Sequence, residues 1–183
     1  MRIISGSHRG RQLHPPKGLI VRPTTDLAKE SLFNILVSKV DFEEIAVLDL
    51  FAGTGNISLE FASRGAKDVV SVEINHRCTD FISECISEIG FERVFVVKAN
   101  AFNYLKSVRR KFDVIFADPP YELKEVTHIP DLVFNQSLLN EDGWLIIEHD
   151  SSVNFREYPT FHSERQYGKV HFTLFHIDTG EDS

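Results

Sequence analysis

Two short strings hold the residues best suited to chemistry, Asp49-Leu50-Phe51-Ala52-Gly53-Thr54-Gly55 and Asp118-Pro119-Pro120-Tyr121. The first follows an apolar strand-like run and opens a helix. Glycines there let the main chain approach a ligand closely, and the start of a helix offers unpaired N–H groups. The string departs from the dinucleotide fingerprint, because Ile57 and Ser58 follow the G-x-G and no third glycine stands in register. Asp49 at the strand end would repel a pyrophosphate but suits a zwitterionic ligand with an ammonium group. Glu73 comes 24 residues later, at the end of the next apolar run. An acid at that place in such a sheet can accept both hydroxyls of a ribose; the plainer alternative is a strand-end surface carboxylate. Asn100-Ala101 closes a third run, and can offer an amide or an N–H to an adenine ring, or cap the helix that follows.

In the second string, consecutive prolines hold the chain extended and remove two N–H donors. The Asp118 carboxylate and the Pro119 carbonyl can then face one external group. Both only accept, so the matching partner is an NH₂ with two protons to give. Tyr121 adds a flat ring for stacking on a planar base. The alternative is an ordinary strand-ending turn with a packed tyrosine, which the preceding Phe112-Asp113-Val114-Ile115-Phe116-Ala117 run makes the weaker reading.

These strings need a scaffold that brings distant strand ends together. From residue 45 the chain alternates between short apolar runs (45–50, 68–73, 94–97, 112–117, 143–148) and helical stretches (56–64, 76–89, 101–108, 131–139). Five apolar strands separated by helices predict a parallel sheet covered on both faces. After Asp150, stretches 156–165 and 170–177, joined around Tyr167-Gly168, predict an antiparallel hairpin that completes the sheet. Before residue 45, Thr25 or Asp26 caps a helix whose apolar stripe Leu27, Ala28, Leu32, Ile35, Leu36 runs to about Val40. Residues 1–22 are broken by glycine and proline, and Ile3-Ile4 can pair with Leu19-Ile20-Val21 as a small ribbon.

The chain has 183 residues, which predicts one domain able to bury a core without staples. Its net charge of −7 is uneven. Seven bases against two acids leave residues 1–40 at +5, so the remainder carries −12. A basic arm on an acidic body is a signature of contact with a polyanion, the alternative being a solvated face. Cys78 and Cys85 are not in a C-x-x-C pattern and read as two reduced thiols on one helix, which places the protein in the cytoplasm. No run reaches membrane-span length and no apolar leader opens the chain, so no membrane partner is expected. His149, His162, His171 and His176 fall on separate strand faces or turns and read as satisfied surface histidines, so no metal is expected.

At these spacings Asp49–Gly55, Glu73 and 118–121 resemble the class I S-adenosylmethionine-dependent methyltransferases that act on exocyclic amines. The strings Arg2-Ile3-Ile4-Ser5-Gly6, Arg9-Gly10-Arg11, Pro16-Lys17-Gly18, Val21-Arg22-Pro23-Thr24-Thr25-Asp26 and Lys29-Glu30-Ser31-Leu32-Phe33-Asn34 narrow the resemblance to the bacterial RsmD family, essentially end to end. Leu27, His8 and Asn100 depart from that family's pattern. The resemblance implies a Rossmann-like α/β fold with a mostly parallel seven-stranded sheet, helices on both faces, the C-terminal hairpin and a small N-terminal β extension (1–25) before the methyltransferase domain (26–183). It implies methyl transfer from S-adenosylmethionine to the N2 amine of a guanine in 16S ribosomal RNA, within the small subunit or its assembly intermediate. By the same resemblance Asp49, Phe51, Ala52, Gly53, Thr54, Gly55, Glu73, Ile74, Asn100, Ala101 and Asp118 hold the cofactor. Asp118, Pro119, Pro120 and Tyr121 serve catalysis, and Arg2, Arg9, Arg11, Lys17 and Arg22 meet RNA phosphates. Arg22 and Thr24 have the alternative of reaching the cofactor carboxylate. Rival readings are another amine methyltransferase acting on adenine N6, a non-catalytic RNA-binding assembly factor, and a nicotinamide dehydrogenase, which the missing glycine and Asp49 disfavour.

Overall fold

The computed structural model describes residues 1–19 and 25–177. Seven strands form one sheet: β1 (Ala46–Leu50), β2 (Asp68–Glu73), β3 (Val94–Lys98), β4 (Phe112–Ala117), β5 (Leu139–His149), β6 (Phe161–Tyr167) and β7 (Val170–Phe175). Their order is β3-β2-β1-β4-β5-β7-β6. The first five run parallel, and β7 returns antiparallel against β5 and β6. The expected α/β architecture and its closing hairpin are therefore present. β1 is flanked by β2 on one side and β4 on the other, so the chain's winding reverses beside it. In open α/β sheets the crevice outside the strand ends at such a reversal is where ligands bind.

Five helices cover the sheet: α1 (Asp26–Leu36), α2 (Asn56–Ser63), α3 (His76–Ile89), α4 (Ala101–Ser107) and α5 (His128–Asn135). Ala28, Leu32, Phe33 and Leu36 of α1 join Ile57 and Phe61 of α2 over Val47, Phe116, Ile146 and Leu174. Leu105 of α4 and Ile129 and Val133 of α5 cover the other face with Leu48, Leu50, Ile115 and Ile147. Alternate residues of β1 and β4 thus feed opposite cores, which is why these strands read as unbroken apolar runs. Each such large side chain contributes roughly 1.5–3 kcal/mol by leaving water.

Several boundaries differ from the sequence expectation. Thr25 caps α1, accepting from the Ala28 N–H, but the helix stops at Leu36 in a turn instead of running to Val40. α5 begins at His128 after a 3-10 turn (Lys124–Thr127), not at Asp131. Pro130 fits there because the first helical turn needs no N–H bond from it. β5 starts at Leu139 rather than Gly143, with an irregularity in its pairing to β4. β6 spans Phe161–Tyr167, displaced toward the turn from the expected 156–165.

The N-terminal segment departs most. Ile3 donates to the Arg11 carbonyl, Leu13 to Met1, and Arg2 bridges Gln12. Residues 1–3 therefore pair with 10–13; of the Leu19-Ile20-Val21 expected as partner, Ile20 and Val21 lie outside the described residues. The short return at Gly6 and Gly10, both with positive φ, makes the nearer partner available. Ile3 and Leu13 are buried against Leu59 of α2 and Phe81 and Cys85 of α3.

Candidate active site

Beyond β1 the chain turns at Phe51, a non-glycine residue at φ 60°. Such strained conformations concentrate at ligand sites. The Ala52 N–H returns to the Val72 carbonyl, tying the loop to β2. Gly53 donates to Glu73 Oε2 at 2.9 Å, and Asn75 donates to Glu73 Oε1 at 2.8 Å. Glu73 thus braces the glycine loop, and each of its oxygens keeps a further lone pair for a ligand. Gly55 is required: at φ 74° a side chain there would be strained, and its Cβ would come within 2.8 Å of Ile82.

Asp49 lies in the middle of the sheet, between Ser71 of β2 and Phe116 of β4, and is 2% exposed. Ser58 of α2 donates to Asp49 Oδ2 at 2.5 Å, and Ser71 donates on to Ser58 at 2.6 Å. Burial pushes the Asp49 carboxyl up to about 7; the Ser58 hydrogen bonds oppose this, and the nearby negative charges of Asp118 and Glu73 add to it.

A cavity of about 710 Å³ opens over these groups, within the range of small-ligand sites. Its walls include Asp49, Phe51, Ala52, Gly53 and Thr54 from the first loop, Glu73 and Ile74 beyond β2, and Asp118, Pro119, Pro120 and Tyr121 beyond β4. The ends of the first and fourth strands therefore converge on one space, and Tyr121, 36% exposed, stands at its wall. Glu122 adds a fourth carboxylate, and no Lys, Arg or His side chain lines the cavity among the described residues.

Asn100 and Ala101 are not among those walls. Asn100 Oδ1 caps α4, accepting from the Phe102 and Asn103 N–H groups, and Ala101 is buried. Asn100 instead faces a neighbouring cavity of about 540 Å³ that shares Phe51 with the first. Of the basic residues read as phosphate contacts, Arg9 and Lys17 are exposed, while Arg2 pairs with Asp26 and Arg11 with Glu88. Arg22 and Thr24 lie outside the described residues.

The histidines correct the sequence reading. His149 is buried and stacks on His171, rather than lying on the surface apart from it. Its Nδ1 donates to the Asp150 carbonyl, so Nε2 accepts from Thr173. Burial holds its pKa below the usual value. His162 and His176 gather around Trp144. No group of three metal-ligating side chains occurs among the described residues, nor is any described helix long and apolar enough to cross a membrane.

Sequence reasoning missed Ser58, Ser71 and the junction under the N-terminal segment. Lys29 and Glu60, both 0% exposed, pair at 3.2 Å. Lys29 Nζ also donates to the Arg2 carbonyl and to Asn56 Oδ1, and burial lowers its pKa. Glu60 accepts from the N–H groups of Ile4 and Ser5 and from Arg64. Met1 and Pro15 reach the cavity wall, Met1 accepting through sulfur from Thr54. The one signal available was a polar residue at every second place of an otherwise apolar helix, Asn56, Ser58 and Glu60.

The family described as conserved hypothetical protein 95 matches residues 1–176. The chain belongs to that family. It is the RsmD family anticipated from the N-terminal strings. Among its relatives, ribosomal RNA small subunit methyltransferase D of Escherichia coli K12 is 27% identical over 186 residues, covering 100% of this chain and 93% of that one. YlbH of Bacillus subtilis is 33% identical over 161 residues, 86% of each chain. A solved structure from Thermus thermophilus superposes with a TM-score of 0.84 at 26% identity, covering 97% and 99% of the two chains. The likeness therefore spans the N-terminal segment as well as the sheet.

Proposed function

We propose that the protein transfers a methyl group from S-adenosylmethionine to the N2 amine of a guanine in 16S ribosomal RNA, presented by the small subunit or its assembly intermediate. The observation that carries this is the single cavity joining the glycine loop, Glu73 and the Asp118–Tyr121 string. The kinship with ribosomal RNA small subunit methyltransferase D supports the RNA class.

The residues fit the cofactor. Carboxylates line the cavity with no basic side chain among the described residues, which suits a sulfonium and an ammonium and disfavours a phosphate. When bound, S-adenosylmethionine supplies a methyl on a cationic sulfur, whose C–S bond breaks with its electron pair left on sulfur as the N–C bond forms. Glu73, at the end of β2, offers its remaining lone pairs to ribose hydroxyls, and Asp49 faces the cationic end.

The target amine is a poor nucleophile because its lone pair is delocalised into the ring. Asp118 and the Pro119 carbonyl, accepting one N–H each, favour a pyramidal nitrogen with the lone pair free. Tyr121 stacks on the base and fixes its plane. Orientation of this kind removes up to roughly 7–11 kcal/mol of barrier. The Asp118 carboxylate also stabilises positive charge developing on nitrogen and takes the proton that leaves. Residues 1–25 form the RNA-contacting extension in this reading. Arg9 and Lys17 meet phosphates directly, and the surface pairs of Arg2 and Arg11 cost little to exchange for a phosphate.

The test is transfer of labelled methyl groups to small subunits lacking the modification, against duplex DNA as the control. Label in guanine of the small-subunit RNA supports the reading. Label confined to adenine, or no transfer with tight RNA binding, assigns the protein to one of the rival classes.

A further inference from the structure

Glu73, Asp118, Asp49 and the exposed Glu122 line the cavity where the methyl donor sits in the reading above, on which this inference rests. Glu73 comes from the end of β2, Asp118 from the end of β4 and Asp49 from within β1. They are not equally supported. Glu73 has two main-chain N–H donors. Asp49 is cut off from water and accepts from the hydroxyl and N–H of Ser58, whose hydroxyl is itself backed by Ser71. The cations nearby are committed elsewhere: the Met1 ammonium donates to the Leu13 carbonyl, and Lys29 is held behind Asn56 by Glu60.

We propose that Asp49 makes the cavity distinguish the charged methyl donor from the uncharged thioether left after transfer, holding a proton more tightly with the thioether bound than with the donor. Like charges around one low-dielectric space are tolerated together only with a cation among them. Each transfer removes one positive charge from the cavity and frees one proton from the amine. Asp49, the one of these carboxylates that the fold takes almost wholly out of water, is the group that holds a proton once Asp118 has passed on the one it took from the amine. Its ligand-free titration near neutrality agrees with this role. The consequence is a direct one: product holds on at low pH and is displaced by fresh donor as the pH rises.

The experiment is calorimetric titration of the whole protein with S-adenosylmethionine and with S-adenosylhomocysteine, from about pH 6 to about pH 8, in buffers of different ionisation enthalpy. The two ligands share their adenosine and amino-acid ends, so the ratio of their affinities isolates the charge on sulfur. The expected ratio of product Kd to donor Kd rises with pH, approaching tenfold per unit around neutrality. Donor binding releases more protons near pH 7 than product binding does. In Asp49→Asn the ratio becomes independent of pH. In Ser58→Ala, which keeps the carboxylate but removes its hydroxyl donor, the pH above which donor affinity levels off moves upward. A pH-independent ratio in the unaltered protein overturns the proposal, as does an unchanged slope in Asp49→Asn. Failure of both ligands to bind overturns the cofactor reading itself, and this inference with it.

Discussion

Two places in this molecule take carboxylates out of water, and they do it in opposite ways. Under the N-terminal segment, Glu60 is met by Lys29, by Arg64 and by the Ile4 and Ser5 N–H groups, so the junction is electrically complete. In the cavity, Asp49 is as deeply buried but is held by the hydroxyl and N–H of Ser58 and has the charges of Glu73 and Asp118 beside it. A complete junction holds parts together, whereas an incomplete one is built to be finished by something else. In the function proposed here, a cationic ligand supplies what the second place lacks. The two are also linked, because Lys29 reaches Asn56, which stands at the cavity wall.

That contrast can be broken at each end. The largest effect is expected at the complete junction. Glu60→Gln leaves Lys29 buried without its carboxylate, and losing one partner of such a pair costs about 3–5 kcal/mol. Chemical denaturation should show that loss whether or not a ligand is present. Next comes Asp118→Ala, which should lower kcat by about 10²–10³-fold, the size found when one preorganised polar group is removed. Donor affinity, measured by calorimetry, should change far less.

A smaller effect, of opposite sign, is expected for Asp49→Asn. The folded pKa lies above the ordinary carboxylate value, so the native state keeps its proton where the unfolded chain has lost it. Stability from this group is therefore full at low pH and falls as the pH climbs from about 4 toward about 7. Asp49→Asn should stabilise the ligand-free protein above neutral pH, by an amount on the order of 1–4 kcal/mol at roughly 1.4 kcal/mol per pKa unit, and change little near pH 4. Thermal unfolding at the two pH values checks it. A stability gain with loss of donor binding would mark Asp49 as a functional residue and set it apart from Glu60.

The smallest effect belongs to the surface. Arg9→Ala should weaken RNA binding and reduce the salt dependence by about one unit of slope or less, as one phosphate contact is lost. Binding isotherms at several salt concentrations measure that slope, and donor affinity should not move.

Much of the sheet and of the cavity wall was legible because the signals are local. Each buried strand is a continuous apolar run, and the residues that line the cavity follow directly at its end: Phe51–Thr54 after β1, Glu73 at the end of β2, Asp118–Tyr121 after β4. Parallel connectivity then brings those ends to one edge. What was illegible depends on contacts between residues far apart in the chain. The Lys29–Glu60 pair joins two helices, and Ile4 and Ser5 reach Glu60 across more than 50 residues, with no periodicity to announce either. Ser58 reads as a small residue in a helix until the fold sets it against Asp49. Asn100 shows the converse: its place at a strand end fits ligand contact, yet its side chain is used in capping α4.

Guanine N2 methylation by this protein is checked in the cell by mass spectrometry of ribosomal RNA nucleosides from a strain lacking it. Loss of one N2-methylguanosine from the 16S RNA is expected, restored by the intact gene and not by Asp118→Ala. A nucleoside profile identical to that of the parent strain, or restoration by the altered gene, would contradict it.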